Sequence, residues 1–205
     1  MVAQPREHFS FEEYLALEKQ TGIKHEYYRG NVYAMTGATP RHNIIVANVI
    51  GSIYAQLRGN PCTVYPSDLR VKVERTGLYT YPDISVVCGD LRIDDDRSNT
   101  VLNPIVIVEV LSPSTRDYDR GLKFQHYRTI GSLQEYIVIA QDMLHIEHYS
   151  RQDEDHWLLA EYHHTHQTLS LRSIGCHLSL DDIYEKVTFS SQDAEGEETE
   201  LHAEG

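Results

Sequence analysis

The sequence predicts a single mixed α/β domain: a central β-sheet flanked by helices, with an added antiparallel hairpin region toward the C-terminal end. Three observations predict it. The local patterns run helix, several strands, helix, strand, an order that needs a mixed sheet with helical cover. Two runs rich in β-branched residues, 81–87 and 104–111, read as buried strands. The length of 205 residues suits one domain with a substantial core, and nothing marks a second.

The elements follow in order. Ser10-Phe11-Glu12-Glu13 has capping-box spacing and opens a short helix through about Lys19. Residues 25–29 and 32–36 flank Gly30-Asn31, a turn dipeptide, and form a hairpin. Pro40 begins the strongest helix, with Ile44, Ile45, Val49, Ile53 and Leu57 near helical spacing and Gly59 as its stop. Strands are expected at 62–66, 69–74, 80–87 and 104–111, a helix near 117–129 and a strand at 135–140. Residues 143–150, 156–163 and 167–172 add shorter, antiparallel strands. The domain is expected to span residues 1–188, followed by an acidic, disordered tail over 189–205.

The net charge is −13, but residues 181–205 hold nine acids against Lys186, a net of −8, which leaves −5 on the other 180 residues. A broad basic footprint for non-specific DNA binding is therefore absent, while a local patch stays open. No apolar run approaches the roughly 20 residues that span a bilayer. Residues 1–8 lack a signal-peptide apolar stretch, so no membrane partner and a cytoplasmic location are expected. Cys62, Cys88 and Cys176 are odd in number and widely spaced, and read as reduced, mostly structural thiols.

Each of the two apolar runs carries one carboxylate, Asp83 and Glu109. Burying an unpaired carboxylate costs roughly several kcal/mol, so each acid is expected to face a metal, a cation or a solvent-filled cleft. A strand-end acid that caps a turn or pairs with an arginine is the plainer alternative. Asp119, Lys123 and Tyr127 recur every four residues and so share one face of the next helix. That face can look back at the end of the Glu109 strand, which Ser112-Pro113-Ser114-Thr115 terminates. Lys123 could there orient a water or stabilise developing negative charge. An Asp119–Lys123 surface ion pair, worth about 0.3–0.5 kcal/mol, has the same spacing.

Pro82-Asp83, Val108-Glu109-Val110-Leu111-Ser112-Pro113-Ser114-Thr115, Asp119, Lys123, Tyr127, Gly131 and Glu135-Tyr136 resemble the bacterial Uma-type family of the PD-(D/E)xK restriction-endonuclease-like superfamily. Glu26, Gly30, Met35 and His42 also match the family pattern, so the resemblance covers roughly residues 8–185. It implies a restriction-endonuclease-like fold and a metal-dependent nuclease site. Asp83 and Glu109 would be the Mg²⁺ (or Mn²⁺) ligands, and Lys123 would position the attacking water. Hard oxygen ligands suit such an ion. The sequence departs from the superfamily's ExK spelling, since Leu111 stands at the lysine position and Lys123 would replace it from the helix. Ala140 stands where the family often has an acid.

Other candidates have plainer readings. Glu26 could reach the metal or be a solvated hairpin acid, and His42 could contact phosphate or cap the first turn of its helix. Arg116, Arg120 and Arg128 could touch phosphates or form a solvated face. Seven of twelve histidines lie between His145 and His177; His164 and His166 could approach one zinc ion, but no thiolate or acid completes a pattern, and a histidine-rich surface hairpin is expected. The expected function is hydrolysis of nucleic-acid phosphodiesters, with DNA ahead of RNA and a homodimer left open. The alternative is a non-catalytic interaction module that keeps the fold.

Overall fold

The computed structural model describes residues 8–35, 37–94, 99–112 and 115–189. The expected tail therefore lies outside the described residues, apart from Phe189. Helix α1 (Phe11–Thr21) is closed at its start by the capping box: Glu13 N donates to Ser10 Oγ, and Ser10 N donates to Glu13 Oε2 at 2.6 Å. The hairpin β1 (His25–Tyr28) and β2 (Asn31–Ala34) turns on Arg29 and Gly30, both at positive φ (49° and 82°). The turn thus sits one residue earlier than expected, because Asn31 already pairs with Tyr28. Helix α2 (Pro40–Gln56) has Thr39 as its N-cap, whose side chain accepts from His42 N, and buries Ile45, Val49 and Ile53.

Strands β3 (Cys62–Pro66), β4 (Arg70–Val73), β5 (Leu78–Thr80), β6 (Ile84–Cys88), β7 (Thr100–Val101), β8 (Val106–Leu111), β9 (Glu135–Ala140), β10 (Ile146–Arg151) and β11 (Trp157–Tyr162) build two sheets. The larger has the order β11-β10-β9-β8-β6-β3, and the smaller β2-β1-β5-β4-β7. In the larger sheet β8 and β9 are parallel and the other pairs antiparallel. The return from β8 to β9 runs through a helical segment: α3 (Arg116–Tyr118), a π-helical turn (Asp119–Lys123) and α4 (Phe124–Tyr127). A separate hairpin, β12 (Thr168–Leu171) and β13 (Cys176–Ser179), is followed by α5 (Leu180–Ile183). Strands β7 and β13 and helix α5 were not among the expected elements.

Alternation along β8 separates two cores. Val106, Val108 and Val110 pack with Ile45, Val49 and Ile53 of α2, whereas Ile107 and Leu111 pack with Tyr127, Leu133, Tyr136 and the small-sheet residues Val71, Val73 and Leu78. The period of two puts Glu109 on the second face, between the sheets.

The strand expected over 80–87 is two strands in different sheets. Proline has no N–H for a ladder, and residues 81–83 cross from β5 to β6 around Pro82. Asp83 consequently sits at the mouth of β6 rather than within a strand. The expectation of reduced thiols is also corrected. Cys62 and Cys88 face each other in the β3–β6 register and form a disulfide, while Cys176 is free and buried. Wide sequence spacing hid a pair that strand register brings together.

Candidate active site

Asp83, released from the ladder at Pro82, meets the end of β8. Its Oδ2 accepts from Val110 N at 2.8 Å and lies 3.1 Å from His42 Nε2. Asp83 Oδ1 has no hydrogen-bond partner among the described residues. Asp83 N points to Glu109 Oε2 at 3.4 Å, and the Tyr127 hydroxyl donates to Glu109 Oε1 at 2.8 Å. An acid at the mouth of β6 and one within its antiparallel neighbour β8 are thus oriented by backbone amides, a tyrosine and a histidine.

Lys123 is 5 % exposed and reaches three carboxylates: Glu109 Oε1 at 2.9 Å, Glu26 Oε1 at 3.1 Å and Asp119 Oδ1 at 3.1 Å. The Asp119–Lys123 pair is therefore buried, which rules out the surface ion pair. The π-helical turn, of a kind frequent at functional sites, still lets Lys123 lie over Asp119 while Tyr127 reaches Glu109. Tyr136 O–H donates to the Asp119 carbonyl at 2.9 Å and ties this turn to β9.

Glu26 is part of the cluster and not a solvated hairpin acid. Thr80 Oγ1 donates to its Oε1 at 2.6 Å and Tyr118 O–H to its Oε2 at 2.9 Å. Its signal in the sequence was weak, because a four-residue strand says little about which face turns inward. His42 does both more and less than expected: its backbone N–H is capped by Thr39, and its ring contacts Asp83. Arg116 pairs with Asp142, and Arg120 Nε lies 2.6 Å from Glu147 Oε1, so both cations are already engaged, while Arg128 is exposed.

Burial pushes the Glu109 carboxyl up, to about 8; Lys123 opposes the rise, and Asp119 and Asp83 add to it. For Glu26 burial is outweighed by Lys123 and by hydrogen bonds from Thr80, Lys123 and Tyr118, which hold its carboxyl below the usual range. For Lys123 burial is outweighed by Glu109, Tyr127, Glu26 and Asp119, which raise the ammonium well above its ordinary value. Lys123 is a fixed cation and not a proton acceptor at neutral pH.

These groups form the floor of a cavity of about 810 Å³ between the β1–β2 hairpin, the start of α2 and the π-helical turn; Tyr33, Met35, His42, Leu122 and His126 contribute to its walls. Gln141, one residue past β9, lines it too and donates to the Leu111 carbonyl at 2.6 Å. Four carboxyl groups against one lysine leave the floor short of positive charge. Among the described residues nothing hydrogen-bonds Asp83 Oδ1 and Glu109 Oε2 has only a long contact, so both offer hard oxygen donors to the cavity. This donor set fits Mg²⁺ or Mn²⁺.

A mixed sheet with a helical parallel return, an acid at the mouth of β6 beside one within β8, and a lysine from that return define a restriction-endonuclease-like domain. Over 86 % of its length the chain superposes on 97 % of the crystal structure of a "putative nuclease belonging to DUF820" from Anabaena variabilis, with a TM-score of 0.71 and 20 % identity, a likeness of fold. Residues 11–181 match the Uma2 family, described as "Putative restriction endonuclease", and the chain belongs to that family. Two proteins of Synechocystis sp. are similar along most of their lengths. The uncharacterized protein slr1290 is 38 % identical over 180 residues, 87 % of this chain and 92 % of its own, and sll1609 is 34 % identical over 149 residues, 73 % and 84 %. No described helix is long and apolar enough to cross a membrane.

Proposed function

We propose that this protein is a metal-dependent endonuclease that hydrolyses phosphodiester bonds of nucleic acid, with DNA as the first substrate to test. The observation that carries this reading is the convergence of Asp83, Glu109 and Lys123 in one cavity, with Lys123 Nζ 2.9 Å from Glu109. Family membership supports the reaction class.

Asp83 and Glu109 would hold Mg²⁺ or Mn²⁺. Such an ion supplies Lewis acidity toward a phosphoryl oxygen and lowers the pKa of water. The protein's own contribution is placement and charge. Val110 N and His42 fix the Asp83 carboxylate, and Tyr127 fixes Glu109. Lys123, held as a cation, orients the attacking water and stabilises the charge that develops on the phosphoryl group. Its three donors are each taken by a carboxylate, so one must turn away before water can be held; Glu26, secured independently by Thr80 and Tyr118, is positioned to keep its contact. A homodimer would offer two such cavities to the two strands of a duplex, and a monomer would nick.

Cleavage of plasmid, linear and single-stranded DNA and of RNA with Mg²⁺ or Mn²⁺ tests the reading. Asp83→Asn, Glu109→Gln and Lys123→Ala should each lower the rate by about 10²-fold or more while the protein stays folded. Failure of the folded, metal-loaded wild type to cut any of these substrates would move the reading to an interaction module.

A further inference from the structure

We propose that His145, Glu161 and His163 form a transition-metal site, suited to Zn²⁺, outside the acidic cavity. None of the three lines that cavity. Among the described residues, they are the group of His, Cys, Asp and Glu side chains whose ligand atoms all lie within 4.8 Å of one another. A tetrahedral Zn²⁺ with bonds of about 2.0–2.1 Å spaces its ligand atoms by roughly 3.4 Å, so small side-chain rotations close the site.

Strand register explains the grouping. Ile146 pairs with Tyr162 and Glu147 with Glu161, so one step outward His145 stands opposite His163, and alternation puts Glu161 on the same face. The rings of His145 and His163 are stacked at 4.6 Å, 11° from parallel, and His145 Nε2 is 3.1 Å from Glu161 Oε1. The expected pair, His164 and His166, is not brought together in this way: His166 turns toward Asp181. The acid that seemed missing is Glu161, supplied by the same strand.

The surroundings are organised for a fixed His145. Its backbone carbonyl accepts from Ala140 N and from the Tyr184 hydroxyl, each at 3.0 Å. Glu147 directly opposes Glu161, an unfavourable like-charge pair, and Arg120 neutralises Glu147. Glu161 is left to a cation beside the two imidazoles. Two histidines and a glutamate with a water in the fourth position satisfy zinc's preferences.

Arg120 Nη2 lies 3.3 Å from His145 Nδ1. A guanidinium only donates, so Nδ1 accepts and Nε2 carries the proton toward Glu161. Binding of Zn²⁺ at Nε2 moves that proton to Nδ1 through solvent, with no net release from His145, and turns this arm of Arg120 away while Arg120 Nε keeps Glu147.

Titration of the full chain, purified without a histidine tag, with Co²⁺ followed by Zn²⁺ competition tests the site. One equivalent of Co²⁺ should give visible d–d absorption that Zn²⁺ abolishes. His163→Ala and Glu161→Gln, both at exposed positions, should weaken binding by more than the roughly 10–100-fold that loss of an outer-shell partner costs. Glu109→Gln should leave the band unchanged. Absence of the band or its persistence in both hairpin variants would overturn the assignment without touching the nuclease reading, and its loss in Glu109→Gln would overturn it by putting the ion in the acidic cavity instead.

Discussion

Lys123 Nζ lies 2.9 Å from Glu109 Oε1, although the two residues belong to a strand and to the helical return that follows it. Leu111, two residues beyond Glu109 in the same strand, is turned instead into the apolar core.

Metal binding should be coupled to proton release at Glu109. Its carboxyl is pushed up to about 8, so at pH 7 much of it is protonated and must ionise to bind a cation. Affinity for Mg²⁺ or Mn²⁺ should rise with pH and level off above about 8. Calorimetry in two buffers of different ionisation enthalpy measures the released protons, and equal heats in both at pH 7 would contradict the coupling.

The same group shapes stability without metal. Between the ordinary value of 4.5 and about 8, folded Glu109 binds more protons than unfolded Glu109. The stability it contributes is therefore present at low pH and lost as pH rises through this window. Glu109→Gln should raise Tm at pH 8 more than at pH 5. An equal shift at both values, in thermal melts, would count against a buried protonated carboxyl.

Removing the cation should cost more than removing any one acid. Lys123→Met leaves the buried carboxyl groups of Glu26, Glu109 and Asp119 without their cation, a loss of about 3–5 kcal/mol by analogy with broken buried pairs. The loss should shrink as pH falls and the carboxyl groups protonate, and Glu109→Gln in the same chain should restore part of it. Urea melts of the single and double variants at two pH values decide this.

His42 is expected to act through Asp83, which its ring contacts at 3.1 Å. His42→Ala should preserve the fold, because helix α2 is capped by Thr39, and should weaken metal affinity by about 10–100-fold. His42→Gln, which can still donate to Asp83, should recover part of the affinity. Unchanged affinity in His42→Ala would show that Val110 N alone orients the carboxylate.

Gly30 tests the hairpin that presents Glu26. It sits at φ 82°, and an added Cβ would meet His8 Nδ1 at 2.7 Å. Gly30→Ala should destabilise by about 1–2 kcal/mol from backbone strain alone, with the close contact adding to it. A denaturant melt indistinguishable from wild type would mean that the turn relocates.

Helix α1 with its capping box, helix α2 from Pro40 and the strands around Val64, Ile107 and Ile137 were legible because each follows from local rules of capping and periodicity. The sequence also singled out Asp83, Glu109 and Lys123 as the groups to watch, since ionisable residues in or beside apolar runs demand a partner. What it could not supply was the partner. That Pro82 divides one apparent strand between two sheets, that Glu26 turns inward to Lys123, that Cys62 meets Cys88, and that His145 faces His163 with Glu161 beside them are all consequences of strand register and sheet packing. Local propensity acts over a few residues, whereas these contacts join segments up to about a hundred residues apart. Only the cost of burying unpaired charge and apolar surface together selects among the ways of joining them.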